Sequence, residues 1–219
     1  MLKALADNRD PMSVAGRLRR KRFALFESLL RAVPTPLRIL DVGGTQSFWE
    51  VMAFTAGERV EVTILNTTRP AVSLPHFTGV AGDARALQFA DQSFDVVFSN
   101  SVIEHVGSYE DQRRMAGEVR RVGTRYFLQT PNRYFPIEPH FLFPYYQFLP
   151  VVARVWLLQH FSLGWRGRTP DAQKARASVD SVHLLSKREL VGLFPEASLF
   201  EERVMGLTKS FVVYAGWPR

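Results

Sequence analysis

Between Arg38 and Gln129 the chain alternates short apolar runs with helix-compatible segments, and this alternation does more than any other feature to narrow its folds. Residues 38–42, 60–65, 78–80, 94–99 and 124–129 read as five strands, and the almost wholly apolar fourth suits a strand buried on both faces. A helix is predicted over 47–56. Another is predicted from Ser108 to about Val122, where Ser108-Tyr109-Glu110-Asp111 resembles a capping box with Asp in place of Glu. Strands separated by helices cannot pair as tight hairpins; they need crossovers, which build a mostly parallel sheet covered on both faces. The predicted class is therefore α/β, doubly wound, and its ligands bind beyond the carboxyl ends of the strands, where the strand order switches.

The flanks fill out this plan. Leu18, Phe23, Phe26, Leu29 and Leu30 recur at near-helical spacing, so a helix is predicted over about 14–33, halted by Pro34 and Pro36. Its run Arg17, Arg19, Arg20, Lys21, Arg22 reads as a solvated face, with a contact to anionic lipid as the alternative. After the fifth strand, residues 131–182 form an aromatic- and proline-rich insertion. Ser186-Lys187-Arg188-Glu189 then caps a further helix reaching about Phe194. Two β-rich runs, 197–204 and 208–215, close the chain as an antiparallel hairpin around Met205-Gly206-Leu207. At 219 residues, with 46% hydrophobic and 22% charged residues, the chain fits a single domain over 1–219. No cysteine is present, which excludes disulfides and thiolate chemistry and fits a reducing compartment. Residues 1–11 lack the continuous apolar core of a secretory leader, so a cytoplasmic protein is expected.

Gly43 and Gly44 fall directly after a strand and before a helix, where a missing Cβ lets the backbone turn sharply against a ligand. The GxGxxG dinucleotide pattern is absent. Three segments stand in order: Arg38-Ile39-Leu40-Asp41-Val42-Gly43-Gly44-Thr45, then Gly82-Asp83-Ala84, then the stretch from Phe94-Asp95-Val96-Val97-Phe98-Ser99-Asn100 through Glu104-His105-Val106. In this order and spacing the chain resembles the class I S-adenosylmethionine-dependent methyltransferases, and within them the type-11 group. The resemblance implies a Rossmann-like seven-stranded sheet of order 3-2-1-4-5-7-6 with strand 7 antiparallel, and S-adenosylmethionine as cofactor. It implies that Asp41, Gly43 and Gly44 meet the methionine part of the donor, and that Asp83 and Ala84 meet the adenine. Ser99 and Asn100 then lie beneath the sulfonium, and Glu104-His105 opens the following helix. Two departures stand out: Thr45 and Ser47 occupy positions where the family commonly has glycine, and Asn66 replaces the acidic ribose clamp. The amide can still bond ribose hydroxyls but loses the charge-assisted part of that bond.

The segment from Gln129 to His140 follows the fifth strand and therefore sits on the ligand-facing rim. It supplies the acceptor-side candidates Asn132, Tyr134, Glu138 and His140, with Tyr145 beyond it; His140, His105 and Glu138 are the candidate proton-handling groups. Metal ligation by these histidines and Glu138 is an alternative, but no HExxH-like spacing supports it, so no metal is expected. Residues 141–161 are long and apolar enough to suggest a membrane span, but Pro144 and Pro150 interrupt them and Arg154 sits near the middle. The stretch reads instead as a lid over the acceptor, with a peripheral membrane contact as the alternative. The resulting expectation is O-methylation of a small or lipophilic acceptor, a lipid or glycan among the candidates. A non-catalytic donor-binding module is the first rival. A nucleic-acid methyltransferase, suggested by the net charge of +7, is disfavoured because strand 4 ends in Ser99-Asn100-Ser101-Val102 and not in an Asn/Asp-Pro-Pro-aromatic signature. Nothing in the sequence fixes the oligomeric state.

Overall fold

The alternating units form a parallel sheet. A computed structural model describes Lys3, Asp7, Asp10, residues 12–54 and residues 59–218. Its main strands are β1 (Leu37–Val42), β2 (Val60–Asn66), β3 (Phe77–Ala81), β4 (Val96–Asn100) and β5 (Tyr126–Pro131), with β8 (Ser198–Val204) and β9 (Leu207–Ala215) at the end of the chain. They form one seven-stranded sheet of order β3-β2-β1-β4-β5-β9-β8. β9 runs antiparallel to both neighbours, so the order and the reversed last strand are those expected. The order switches at β1, which pairs with β2 on one side and β4 on the other. The loops after these strands therefore diverge and leave a crevice between them.

Helices cover both faces. α1 (Val14–Leu30) and α2 (Gln46–Val51) lie on one, where Phe23, Phe26 and Trp49 pack with Phe98 and Phe127 of the sheet. α3 (Tyr109–Val122) lies on the other, where Met115 and Val119 meet Val97 and Leu128. Burying each such side chain contributes about 1.5–3 kcal/mol. Ser108 caps α3 in a complete box: its hydroxyl accepts from the Asp111 N–H and the Asp111 carboxylate accepts from the Ser108 N–H, so the shorter acid serves where Glu is usual.

Three expectations need correction. α2 ends at Val51, short of the predicted stretch, and residues 55–56 of that stretch lie outside those described, as does most of residues 1–11. The fourth and fifth strands each begin two residues late: ahead of them the Phe94 N–H donates to the Val122 carbonyl and the Thr124 N–H to the Phe94 carbonyl, an isolated bridge outside both strands. The basic run of α1 is only in part a solvated face. Helical spacing puts Arg19 and Arg22 on the same side as Phe23 and Phe26, facing the sheet. Arg22 is buried and its Nη1 donates to both oxygens of Glu202 on β8, at 2.6 and 2.7 Å, while the Ser210 hydroxyl donates to the same carboxylate.

The insertion after β5 has its own small core. A two-residue ladder, β6 (Ile137–Glu138) with β7 (Phe143–Pro144), leads into α4 (Val151–His160) and α5 (Ala172–Asp180). Phe141, Tyr146, Leu158, Leu163, Ala175 and Val179 cluster between them, and α6 (Lys187–Leu193) returns the chain to the sheet. Among the described residues no helix is long and apolar enough to cross a membrane.

Candidate functional site

Two cavities meet at Gly43. One, of about 790 Å³, is lined by Gly43, Leu65, Asn66, Gly82, Asp83, Ala84, Ser101, Val102 and His105. The other, of about 530 Å³, is lined by Arg19, Asp41, Gly43, Gly44, Thr45, Ser47, Phe48 and Asn100. Seven of the eight predicted cofactor residues thus share one cleft at the ends of β1, β2, β3 and β4. Ser99 is the exception: it is buried, and its hydroxyl donates to the Val42 carbonyl, tying β4 to β1.

The turn after β1 is built for close approach. Gly43 has φ +76°, and a Cβ there would lie 2.6 Å from the Val102 methyls. At Gly44 a Cβ would fall on the carboxylate of Asp41. Thr45, in contrast, is extended at φ −141°, so neither the turn nor the start of α2 needs glycine there; its hydroxyl reaches Ser47 at 3.0 Å beside the second cavity. Asp41 is fully buried. Its Oδ2 accepts from the Trp49 indole N–H at 2.7 Å and its Oδ1 has no partner. Burial pushes this carboxyl up to about 7, only partly opposed by the Trp49 hydrogen bond.

The other predicted contacts are pre-engaged to different degrees. Asn66 donates from Nδ2 to the Gly44 carbonyl at 3.4 Å and accepts from the Thr67 N–H, so it braces the turn from β2. Asp83 receives Arg85 on both oxygens at 2.7–3.0 Å, and those bonds hold its carboxyl below the usual range. Arg19 was not singled out as a site residue, hidden in what read as a solvated charge run. Its guanidinium stands 5.5 Å from the Phe48 ring centroid at the second cavity, and burial, with Arg22 nearby, lowers it to about 10. Ser101 was missed too: it holds a left-handed φ of 57°, fixed by N–H and hydroxyl bonds to the Gln129 carbonyl and side chain. Such strain in a non-glycine residue concentrates at functional sites.

On the acceptor side His105 and His140 come together although β5 separates them in sequence. Their rings are perpendicular with centroids 4.7 Å apart. Glu138 is buried and receives the His140 Nδ1–H at 2.6 Å, the His140 N–H at 2.8 Å and the Phe141 N–H at 2.6 Å. Burial pulls the His140 imidazole down, but the bond and charge of Glu138, with Glu104 behind them, outweigh it and leave the ring above its ordinary value. His105 donates from Nδ1 to the Ser181 carbonyl at 3.0 Å. The other acceptor-side candidates fare differently. Asn132 donates to the Thr208 carbonyl and its Oδ1 accepts from the Tyr134 N–H, so its amide already ties the loop to β9. Tyr134 and Tyr145 are exposed on the insertion, Tyr134 stacked on Phe148 at 5.9 Å, and neither lines the two cavities.

Comparison with known proteins agrees with this geometry. Residues 40–125 match a family described as a methyltransferase domain. An uncharacterized protein found in two strains of Mycobacterium tuberculosis is 35% identical over 66 residues, which cover 30% of this chain and 22% of that one. The chain thus spans about a fifth of the length of the curated relatives it matches. A SAM-dependent methyltransferase structure from Aquifex aeolicus superposes with a TM-score of 0.53 at 12% identity, covering 98% of this chain and 97% of that one. The CurJ carbon methyltransferase superposes with a TM-score of 0.57 at 13% identity, over 92% of this chain and 54% of that one. At these identities the structural likeness shows the fold.

Proposed function

We propose that this chain, a class I S-adenosylmethionine-dependent methyltransferase by its matched domain and its fold, methylates a hydroxyl group on a lipophilic acceptor. The residues of the cleft suit the donor. The unpartnered Oδ1 of Asp41 and the guanidinium of Arg19 stand at one end, fit for the ammonium and carboxylate of an amino acid. Asn66 and the 82–84 turn stand at the other, fit for a ribose and a base. When bound, S-adenosylmethionine supplies a methyl group made electrophilic by its sulfonium.

The protein's share is then positioning, which contributes on the order of 7–11 kcal/mol in well-aligned reactions, and removal of the acceptor proton. The observation that carries the hydroxyl reading is the paired imidazoles at the cavity edge: His105 lines the cavity, and His140 beside it is oriented by buried Glu138. Deprotonation matters most for a weakly acidic hydroxyl, and a positioned imidazole typically adds about 10²–10⁴ in rate. A lipophilic acceptor is favoured by the aromatic side chains that the insertion leaves exposed, Tyr134, Phe148, Trp156, Phe161 and Trp165 among them. The same side chains suit a peripheral contact with a membrane from which such an acceptor would be drawn.

Two observations favour the non-catalytic reading: Asp83 is already occupied by Arg85, and Asn66 lacks the charge of an acidic clamp. A single experiment separates the two. Incubation with methyl-labelled donor and a panel of hydroxylated amphiphiles is expected to move label into the organic phase. Donor binding with no label in any fraction would favour the non-catalytic module.

A further inference from the structure

We infer that Glu104, His105 and His140 form a binding site for a divalent first-row transition-metal ion at the acceptor edge of the cleft. One ligand atom from each of the three lies within 4.8 Å of the other two, close enough for small side-chain movements to bring them onto a shared ion. Each has been prepared by its surroundings. His105 gives its Nδ1–H to the Ser181 carbonyl and His140 gives its Nδ1–H to the Glu138 carboxylate, which leaves the Nε2 lone pair of both rings available. A backbone carbonyl behind one ligating histidine and a carboxylate behind the other is the arrangement that fixes the tautomer and ring orientation of metal-bound imidazoles. Glu104 is fully buried at the start of the 3₁₀ turn Ile103–His105; Thr130 donates to its Oε2, and its Oε1 has no partner. A buried, unpartnered carboxylate oxygen beside two imidazoles is costly unless something fills it, and a cation does so directly.

Two nitrogens and one carboxylate oxygen suit Zn²⁺, Co²⁺, Mn²⁺ or Fe²⁺, whereas Mg²⁺ and Ca²⁺ favour sets made only of oxygen. Three protein ligands leave a tetrahedral ion one open position, and His105 also lines the cavity that holds Gly43 and Asn66. The site depends only on these side chains. It rests on the proposed hydroxyl reading solely for its consequence: with an ion bound the two histidines would serve the acceptor as its ligands, and without one as the bases of that reading.

The test is titration of the chelator-treated full chain with Co²⁺ and Zn²⁺, followed by calorimetry and, for Co²⁺, by visible absorption. One equivalent is expected to bind, with an absorption band characteristic of low-coordinate Co²⁺ that Zn²⁺ displaces. Glu104→Gln and His140→Ala should each abolish the band, and Glu138→Gln should weaken binding by about 10- to 100-fold. His105→Ala changes an exposed residue and serves as the ligand variant if the buried substitutions fail to fold. No stoichiometric binding, or binding that survives in every folded ligand variant, would overturn the inference. The readout contains no methyl transfer, so it fails or succeeds independently of the acceptor assignment.

Discussion

The turn at the end of β1 and the insertion after β5 are built on opposite principles. At the donor end the backbone makes the surface. Gly43 and Gly44 bring the main chain where no side chain fits, Asn66 braces the turn from the next strand, and one buried carboxylate oxygen waits without a partner. In the insertion side chains make the surface. Glu138 spends its hydrogen bonds inward on His140 and Phe141 of a small local core, Asn132 ties the insertion's start to Thr208 of β9, and large aromatic residues are left facing outward. On the proposed reading the contrast teaches a division of labour: the sheet end would fix a ligand of constant shape through backbone geometry, and the insertion would tune an acceptor by its side chains.

The sharpest way to break this division is to disable the acceptor side while leaving the donor side intact. His105→Ala combined with His140→Ala is expected to lower the rate of methyl transfer at saturating donor by about 10²–10⁴. Full activity in the double variant at neutral pH would remove both histidines from the chemistry. A smaller effect probes the donor side alone. Asp41 carries a carboxyl raised from 3.8 to about 7 by burial, so between those values the folded protein holds a proton that the unfolded chain has lost. Its contribution is intact below the unfolded value and is lost as pH rises towards 7, with a slope of up to about 1.4 kcal/mol per pH unit. Asp41→Asn should flatten that part of the stability curve in denaturant titrations; an unchanged slope would place the carboxyl in a wetter setting. The smallest effect is expected on the outer face of the insertion. Trp156 is half exposed on α4, and Trp156→Ser should alter stability by no more than about 0.5 kcal/mol while raising the KM for a long-chain acceptor and not for a short soluble one.

How much of this was legible in the sequence follows the same divide. The strand order and the reversed β9 came from the resemblance of the three motif segments, and the βα alternation came from the period of apolar residues, both carried by local pattern. The capping boxes at Ser108 and Ser186 were readable because cap and partner stand three residues apart. Arg19 and Arg22 were misread because a charge run looks the same in sequence whether it faces water or Glu202; only the helical phase set by Phe23 and Phe26 turns two of the five inward. The histidine pair was named residue by residue, but its meeting with Glu104 was not visible, since β5 intervenes and no short metal spacing announces it. Within the insertion, prolines and aromatics hid the small helices α4 and α5, whose apolar positions answer to a local core and not to the sheet.

The most direct test of the account is calorimetric titration of S-adenosylmethionine into the full chain and into Gly44→Ala, where the added methyl would collide with the Asp41 carboxylate. One equivalent should bind to the unaltered chain and be displaced by S-adenosylhomocysteine. A Gly44→Ala protein with an unchanged circular dichroism spectrum should bind at least about tenfold more weakly, equivalent to ~1.4 kcal/mol. No saturable binding to the unaltered chain, or equal affinity in the two proteins, would contradict a donor site at this turn.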